Sequence, residues 1–176
     1  ANPSADVEGL DAARKIAILA SIAFNTRIRF EDVSVEVITK VTPEDIEYAK
    51  ALGYVVKLLA IGRDCGEAGI DVRVHPVFLP KAHPLASVND VYNAIFVLGN
   101  AIGEAMFYGR GAGSLPTASA VVADVIDIAR DMQLDTFGRL HCTCYANKSL
   151  CPVEEKKASY YVRLLVDDEP GVLAAI

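Results

Sequence analysis

Between Tyr54 and Tyr108 the apolar residues leave helical spacing and gather in short β-rich runs: YVVKLLAI (54–61), IDVRVHPVFL (70–79), VYNAIFV (91–97) and IGEAMFY (102–108). No other feature constrains the fold as strongly. In the second run Val72, Val74 and Pro76 alternate against Arg73 and His75, the period of a strand that buries one face. The first two runs join through GRDCGEAG, the last two through Leu98-Gly99-Asn100-Ala101. Such connections suit hairpins, and consecutive strands with short connections pair antiparallel.

Helical patterns flank the block. From Gly9 to Phe24, residues Leu10, Ala13, Ala17, Leu19, Ala20 and Ala23 form a stripe. Thr42-Pro43-Glu44-Asp45 is a helix start: a capping hydroxyl, Pro in the first turn, then acids favoured by the dipole. That helix is expected to run to about Leu52 and stop at Gly53. Pro116–Met132 is a third, with Val121, Val122, Val125, Ile126 and Ala129 on one side and Asp124, Asp127 and Asp131 on the other. Together these predict an α+β fold: a mixed, largely antiparallel sheet covered on one face by helices.

Phe137–Lys157 reads as a polar, irregular linker. Tyr160–Val166 (YYVRLLV) reads as a strand and Gly171 onward as a helix start, the truncated start of a βα unit. The expected division is a main domain over 1–136, a linker over 137–158 and the opening of a second domain over 159–176. The chain begins at Ala1 and ends in DDEPGVLAAI, within the first turn of that helix, so we expect a piece of a longer protein.

Composition removes several function classes. Lys and Arg number 17 against 23 Asp and Glu, a net charge of −6. An acidic chain without a basic stripe does not suit nucleic acid or an anionic membrane. Trp is absent and aromatics are 7%, which disfavours a base-stacking platform. No apolar run reaches the ~18 residues of a membrane span, and no basic segment leads into an apolar one as in a secretory signal. A cytoplasmic, reduced setting is the expectation. His141, Cys142, Cys144 and Cys151 carry soft-ligand chemistry, but lack the paired C-x2-C spacing of tetrahedral thiolate sites. No metal is expected there.

Two places could carry chemistry. Asp11 and Lys15 are spaced i, i+4 and share a helix face. On spacing alone that pattern favours a surface salt bridge; the functional reading needs a cleft, in which a lysine can serve as general acid or base. Asp6 and Glu8, just upstream, add carboxylates able to hold an ammonium group. Gly109-Arg110-Gly111-Ala112-Gly113-Ser114 joins a strand to a helix. Its glycines permit close backbone approach to a ligand, or simply a tight turn. Neither GxGxxG nor GxxxxGK[ST] occurs. His75 and His83 read as structural.

DVEGLDAARKIAIL, GYVVKLLAI, VRVHP, HPLASVNDVYNAIFV and above all YGRGAGSLPTASAVVADVIDIAR resemble the catalytic domain of homoserine dehydrogenases from Ala1 to about Arg130. YYVRLLVDDEPGVLAAI resembles the start of an ACT regulatory domain. The resemblance implies an NADP- or NAD-dependent oxidoreductase that interconverts L-aspartate 4-semialdehyde and L-homoserine on the way to threonine, methionine and isoleucine. It implies a homodimer, with the cofactor held mainly by a Rossmann domain that precedes these residues in the family. Residue by residue, it makes Lys15 the catalytic proton donor and Asp6 and Asp11 substrate-binding. It brings Gly111, Ala112 and Gly113 to the cofactor's nicotinamide end. Asp90 stands in SVNDVYNA where the family has glycine. A stand-alone dimerisation or ligand-binding module without catalysis is the alternative.

Overall fold

The computed structural model describes residues 7–134, 136, 144–152, 158–167 and 172. Helix α1 spans Leu10–Phe24 and helix α2 Pro43–Ala51. Strands β1 (Ser34–Val35), β2 (Tyr54–Asp64) and β3 (Ile70–Pro80) form one sheet in the order β1-β3-β2. Strands β4 (Tyr92–Gly99) and β5 (Gly103–Arg110) form a second, and helix α3 (Ser114–Gln133) follows. The expected single block of strands is thus two sheets. Both long pairs are antiparallel as expected, from Tyr54↔Pro80 to Asp64↔Ile70 and from Tyr92↔Arg110 to Gly99↔Gly103. The short parallel pair β1–β3 makes the larger sheet mixed.

The core lies between α1 and the β2–β3 face. Ala13, Ile16, Ala17 and Ala20 are buried at helical spacing and meet Ile70, Val72 and Val74, with Ile28 and Val33 from the loop after α1. Leu19 and Ala23, expected in this stripe, are exposed, and Ile16 takes their place. Small residues face the sheet because the helix lies close to it. A Cβ on Gly62 of β2 would sit 3.4 Å from Ile16 Cδ1 and from Phe24 Cε2. Gly9 enters α1 with φ 74° and Asn25 leaves it with φ 55°, left-handed positions that glycine and asparagine tolerate.

Helix α2 starts as its sequence specifies. Asp45 N donates to Thr42 Oγ1 at 3.3 Å and Thr42 N to Asp45 Oδ2 at 2.9 Å, the reciprocal capping box. Asp90 has φ 58°, so the family's glycine position is a left-handed one that aspartate also adopts. His83 is structural as expected: its Nδ1 accepts from Leu85 N at 3.1 Å and its ring lies 4.9 Å from Phe96.

Part of the expected linker packs beside the sheet. Ile70 N donates to Ser149 O at 2.8 Å and Cys151 N to Ile70 O at 2.9 Å, which lays 149–151 beside the start of β3. The described residues 158–167 form no strand ladder, contrary to the expectation for Tyr160–Val166. A strand needs a hydrogen-bonding neighbour, and the described residues offer it none. Side chains hold it instead: Tyr161 stacks on Phe78 at 4.5 Å, and Arg163 Nη1 donates to Thr42 Oγ1 at 3.1 Å. The expected helix start from Gly171 falls on residues of which only Val172 is described. No helix among the described residues is long and apolar enough to cross a membrane.

Candidate active site

Helix α1 places its buried alanines against the sheet, so Asp11 and Lys15 stand on its solvent side. Lys15 Nζ lies 2.6 Å from Asp11 Oδ2, the side chains 61% and 44% exposed. Ile18 and Ile22 continue this ridge one and two turns on, and both are exposed. The neighbouring Arg14 is engaged elsewhere, its guanidinium 5.4 Å from the centroid of Phe30. The open face thus carries one ammonium, one carboxylate and an apolar ridge. An ammonium of this kind can give a proton to an oxygen that gains negative charge. Asp6 lies outside the described residues.

The glycine loop is built by the β4–β5 hairpin. The ladder ends at Tyr92↔Arg110, and Gly111 N extends it by donating to Val91 O at 3.1 Å. On one face of the hairpin, Arg110 lies 5.5 Å from the Tyr92 ring, which stacks on Tyr108 at 4.8 Å. Gly113 then caps α3 with φ 133°, and the first turn of α3 holds neither a side-chain cap nor an acid. Its free amides and dipole favour an anion or a polar ligand group. Gly111, Ala112 and Gly113 are therefore brought together at one helix N-terminus, and Asp11 and Lys15 on another element. Among the described residues no hydrogen bond or ion pair joins the two places.

Sequence reading missed the Arg110–Tyr92–Tyr108 layer. Its signal was present in the alternation of the two strands, but it needs the register that places Tyr92 opposite Arg110. It missed also the seat of residues 158–167 on α2. There Tyr161 OH donates to Asp45 Oδ1 at 3.1 Å, and Arg163 Nε lies 3.3 Å from the same oxygen. Hydrogen bonding from the Thr42 backbone, aided by its hydroxyl, Tyr161 and Arg163, holds the Asp45 carboxyl below its ordinary pKa. Desolvation, then the bond to Asp45, raises the Tyr161 phenol. Hydrogen bonding from Lys148 lowers Asp64. The described residues contain no group of three His, Cys, Asp or Glu able to hold a metal; His141 and Cys142 lie outside them.

Comparison with known proteins adds to this geometry. The family model for homoserine dehydrogenase matches residues 1–126. A homoserine dehydrogenase of Synechocystis sp. is 50% identical over 185 residues, covering 98% of this chain and 42% of that protein. One from Mycobacterium tuberculosis is 48% identical over 180 residues, covering 100% of this chain and 41% of that protein. The crystal structure of a homoserine dehydrogenase from Thiobacillus denitrificans superposes with TM-score 0.79 at 43% identity, over 86% of this chain and 36% of that one. The chain spans about two fifths of the length of these curated relatives.

Proposed function

The chain belongs to the homoserine dehydrogenase family, and from that premise we propose that it is the catalytic and dimerisation region of an enzyme interconverting L-aspartate 4-semialdehyde and L-homoserine. The observation that carries this reading is the Asp11–Lys15 pair, 2.6 Å apart on the open face of α1. In this reading the domain covers 1–136, followed by a linker over 137–158 and the start of an ACT unit over 159–176, in a cytoplasmic protein.

Reduction of the aldehyde adds hydride to the carbonyl carbon and a proton to its oxygen. A reduced nicotinamide, NADPH or NADH, supplies the hydride when bound, held mainly by residues outside this chain. Gly111, Ala112 and Gly113 would offer its nicotinamide end a side-chain-poor edge at the N-terminus of α3. Lys15 Nζ would supply the proton as the oxygen takes on charge, so its effect is concentrated in the transition state. Asp11 would steer the ammonium of Lys15 through Oδ2 and offer Oδ1 to the substrate's own ammonium, and the family resemblance gives Asp6 a substrate-binding role too. The exposed apolar face of the hairpin, with Ile95, Val97 and Phe107, would pair two copies into a homodimer.

Steady-state kinetics of Lys15→Ala in the full-length enzyme tests the assignment. The kcat should fall by about 10²–10⁴-fold, the usual worth of proton-transfer catalysis, with little change in cofactor KM. Asp11→Asn should raise the substrate KM as well. Arg14→Ala, which removes the Phe30 contact but no group from the Asp11–Lys15 ridge, controls for damage to the helix. A kcat within about threefold of the unsubstituted enzyme, far short of that range, would return the pair to a surface salt bridge and favour a non-catalytic dimerisation module.

A further inference from the structure

Two segments that follow α3 in the chain meet the two ends of α1. At the exit of the helix, Ala146 N donates to Asn25 O at 2.8 Å. Thr26, 2% exposed, donates its hydroxyl to Ala146 O at 3.1 Å and accepts from Lys148 N at 3.2 Å. Ile70 N then donates to Ser149 O and Cys151 N to Ile70 O, while Lys148 Nζ lies 2.6 Å from Asp64 Oδ2. The fit is close, since a Cβ on Gly69 would overlap the backbone carbonyl of Ser149. Residues 146–151 thus tie the exit of α1 to the hairpin end of β2 and β3.

At the other end, Gly9 opens α1 against the sheet, where a Cβ would lie 3.0 Å from Val74 Cγ1 and 3.7 Å from Leu58 Cδ2. Leu58 pairs with Pro76, and the next pair on the same face is Val56 with Phe78. Tyr161 stacks on Phe78 at 4.5 Å. Its hydroxyl and Arg163 Nε reach the same oxygen of Asp45, and Arg163 Nη1 donates to Thr42 Oγ1. The Tyr161 ring is therefore fastened over the residue pair next beyond the start of α1. The helix itself meets the sheet largely through Ala13, Ala17 and Ala20, small side chains whose shallow ridges resist axial sliding weakly. Stops at the two ends supply what that contact lacks.

We propose that residues 146–151 and 158–163 brace α1 at its two ends, and that Thr26, Tyr161 and Arg163 are positioning residues for Asp11 and Lys15, which α1 carries. The inference rests on the reading of α1 as the helix of the active site. Each of the three acts through the helix rather than on the substrate. Loss of one stop lets α1 shift along its axis, and a misplacement of about 1 Å costs about 10²-fold in rate.

Steady-state kinetics and amide hydrogen exchange of the full-length enzyme test it, with Thr26→Val, Thr26→Ser, Tyr161→Phe and Arg163→Met, all measured well below their melting temperatures. Thr26→Val keeps the side chain's shape and loses both of its hydrogen bonds. It and Arg163→Met should each lower kcat/KM for the semialdehyde by about 10-fold, a partial misplacement, with the cofactor KM unchanged. Tyr161→Phe, which keeps the stack on Phe78, should cost about threefold. Thr26→Ser retains the hydroxyl and should restore kcat/KM. Exchange should quicken at the last turn of α1 in Thr26→Val and at its first turn in Arg163→Met. Variants that melt lower yet keep kcat/KM within about twofold, far short of the cost of misplacement, would show a purely structural role and overturn the inference. So would a Thr26→Ser enzyme as impaired as Thr26→Val, or unaltered exchange along α1. If Lys15→Ala leaves kcat intact, the reading of α1 as the catalytic helix fails, while the exchange rates still decide whether these segments hold it.

Discussion

Helix α1 carries the candidate proton donor, and Gly62 measures how closely that helix is held. Gly62 lies on β2 opposite Val72, facing the helix. A Cβ there would meet Ile16 Cδ1 and Phe24 Cε2 at 3.4 Å and Ala20 Cβ at 3.6 Å, ordinary van der Waals separations. Gly62→Ala therefore fits without strain. It gains about 0.4–1 kcal/mol by restricting the unfolded chain, and its methyl adds apolar contact. Gly62→Val directs two further methyls at side chains already in contact. Overpacking of this kind costs about 1–3 kcal/mol, against at most about 1 kcal/mol from valine's preference for strands. The two variants should thus fall on opposite sides of the unsubstituted chain and differ by about 2–3 kcal/mol. Urea unfolding followed by circular dichroism measures this directly, provided the slopes agree. At about 2–4 °C per kcal/mol for a chain of this size, the melting temperatures should also separate clearly. If Gly62→Val proves as stable as Gly62→Ala, strand propensity governs the site, α1 is not held at contact distance, and the placement of Lys15 derived from it fails.

Other consequences are open to measurement. Glu44, Asp45 and Asp64 have carboxyls lowered below their ordinary pKa, so the stability they contribute is complete above about pH 5 and is lost as pH falls through their folded values. Asp45→Asn, which also removes the anchor of Tyr161 and Arg163, should flatten the acid limb of a stability-against-pH curve; a limb of unchanged steepness would refute the assignment. Phe107 is 66% exposed on the hairpin, and Phe107→Glu should shift the expected homodimer toward monomer in light scattering at micromolar concentration. A variant that remains as dimeric as the unsubstituted protein would place the subunit contact elsewhere.

Local chemistry was legible where the signal is local. The capping box at Thr42 and Asp45 follows from two residues and their spacing, and the helix starts there. The long antiparallel pairs follow from alternating runs and short connections. The stripe on α1 was legible only in part. Counted from Ala13, the i+3, i+4 and i+7 positions are Ile16, Ala17 and Ala20, all buried, whereas Leu19 at i+6 leaves that face and is exposed. The short β1 was not legible at all, because Ser34-Val35 owes its pairing to Arg73 and Val74 and not to its own composition. At the candidate site, i, i+4 spacing correctly puts Asp11 and Lys15 in contact, yet the same spacing describes any helix salt bridge. Arg14 sharpens the distinction. It sits one residue away with the same charge, but its guanidinium is engaged over Phe30, which leaves Lys15 as the ammonium on the open ridge.

Helix α3 presses the same point from the other direction. Its apolar side, with Val121, Val122, Val125 and Ile126, reads in the sequence as a core-facing stripe, yet none of its residues is buried. Surface helices do not keep such a stripe without covering it. The pattern was read correctly, and only the inference that its partner lies within the described residues fails. The Ile18–Ile22 ridge of α1 and the outer face of the β4–β5 hairpin are uncovered in the same way. These surfaces share elements with the catalytic candidates: the α1 ridge continues from Asp11 and Lys15, and α3 begins at Gly113. In the proposed enzyme, whatever covers those surfaces would also wall the site and shield the Asp11–Lys15 pair from bulk water.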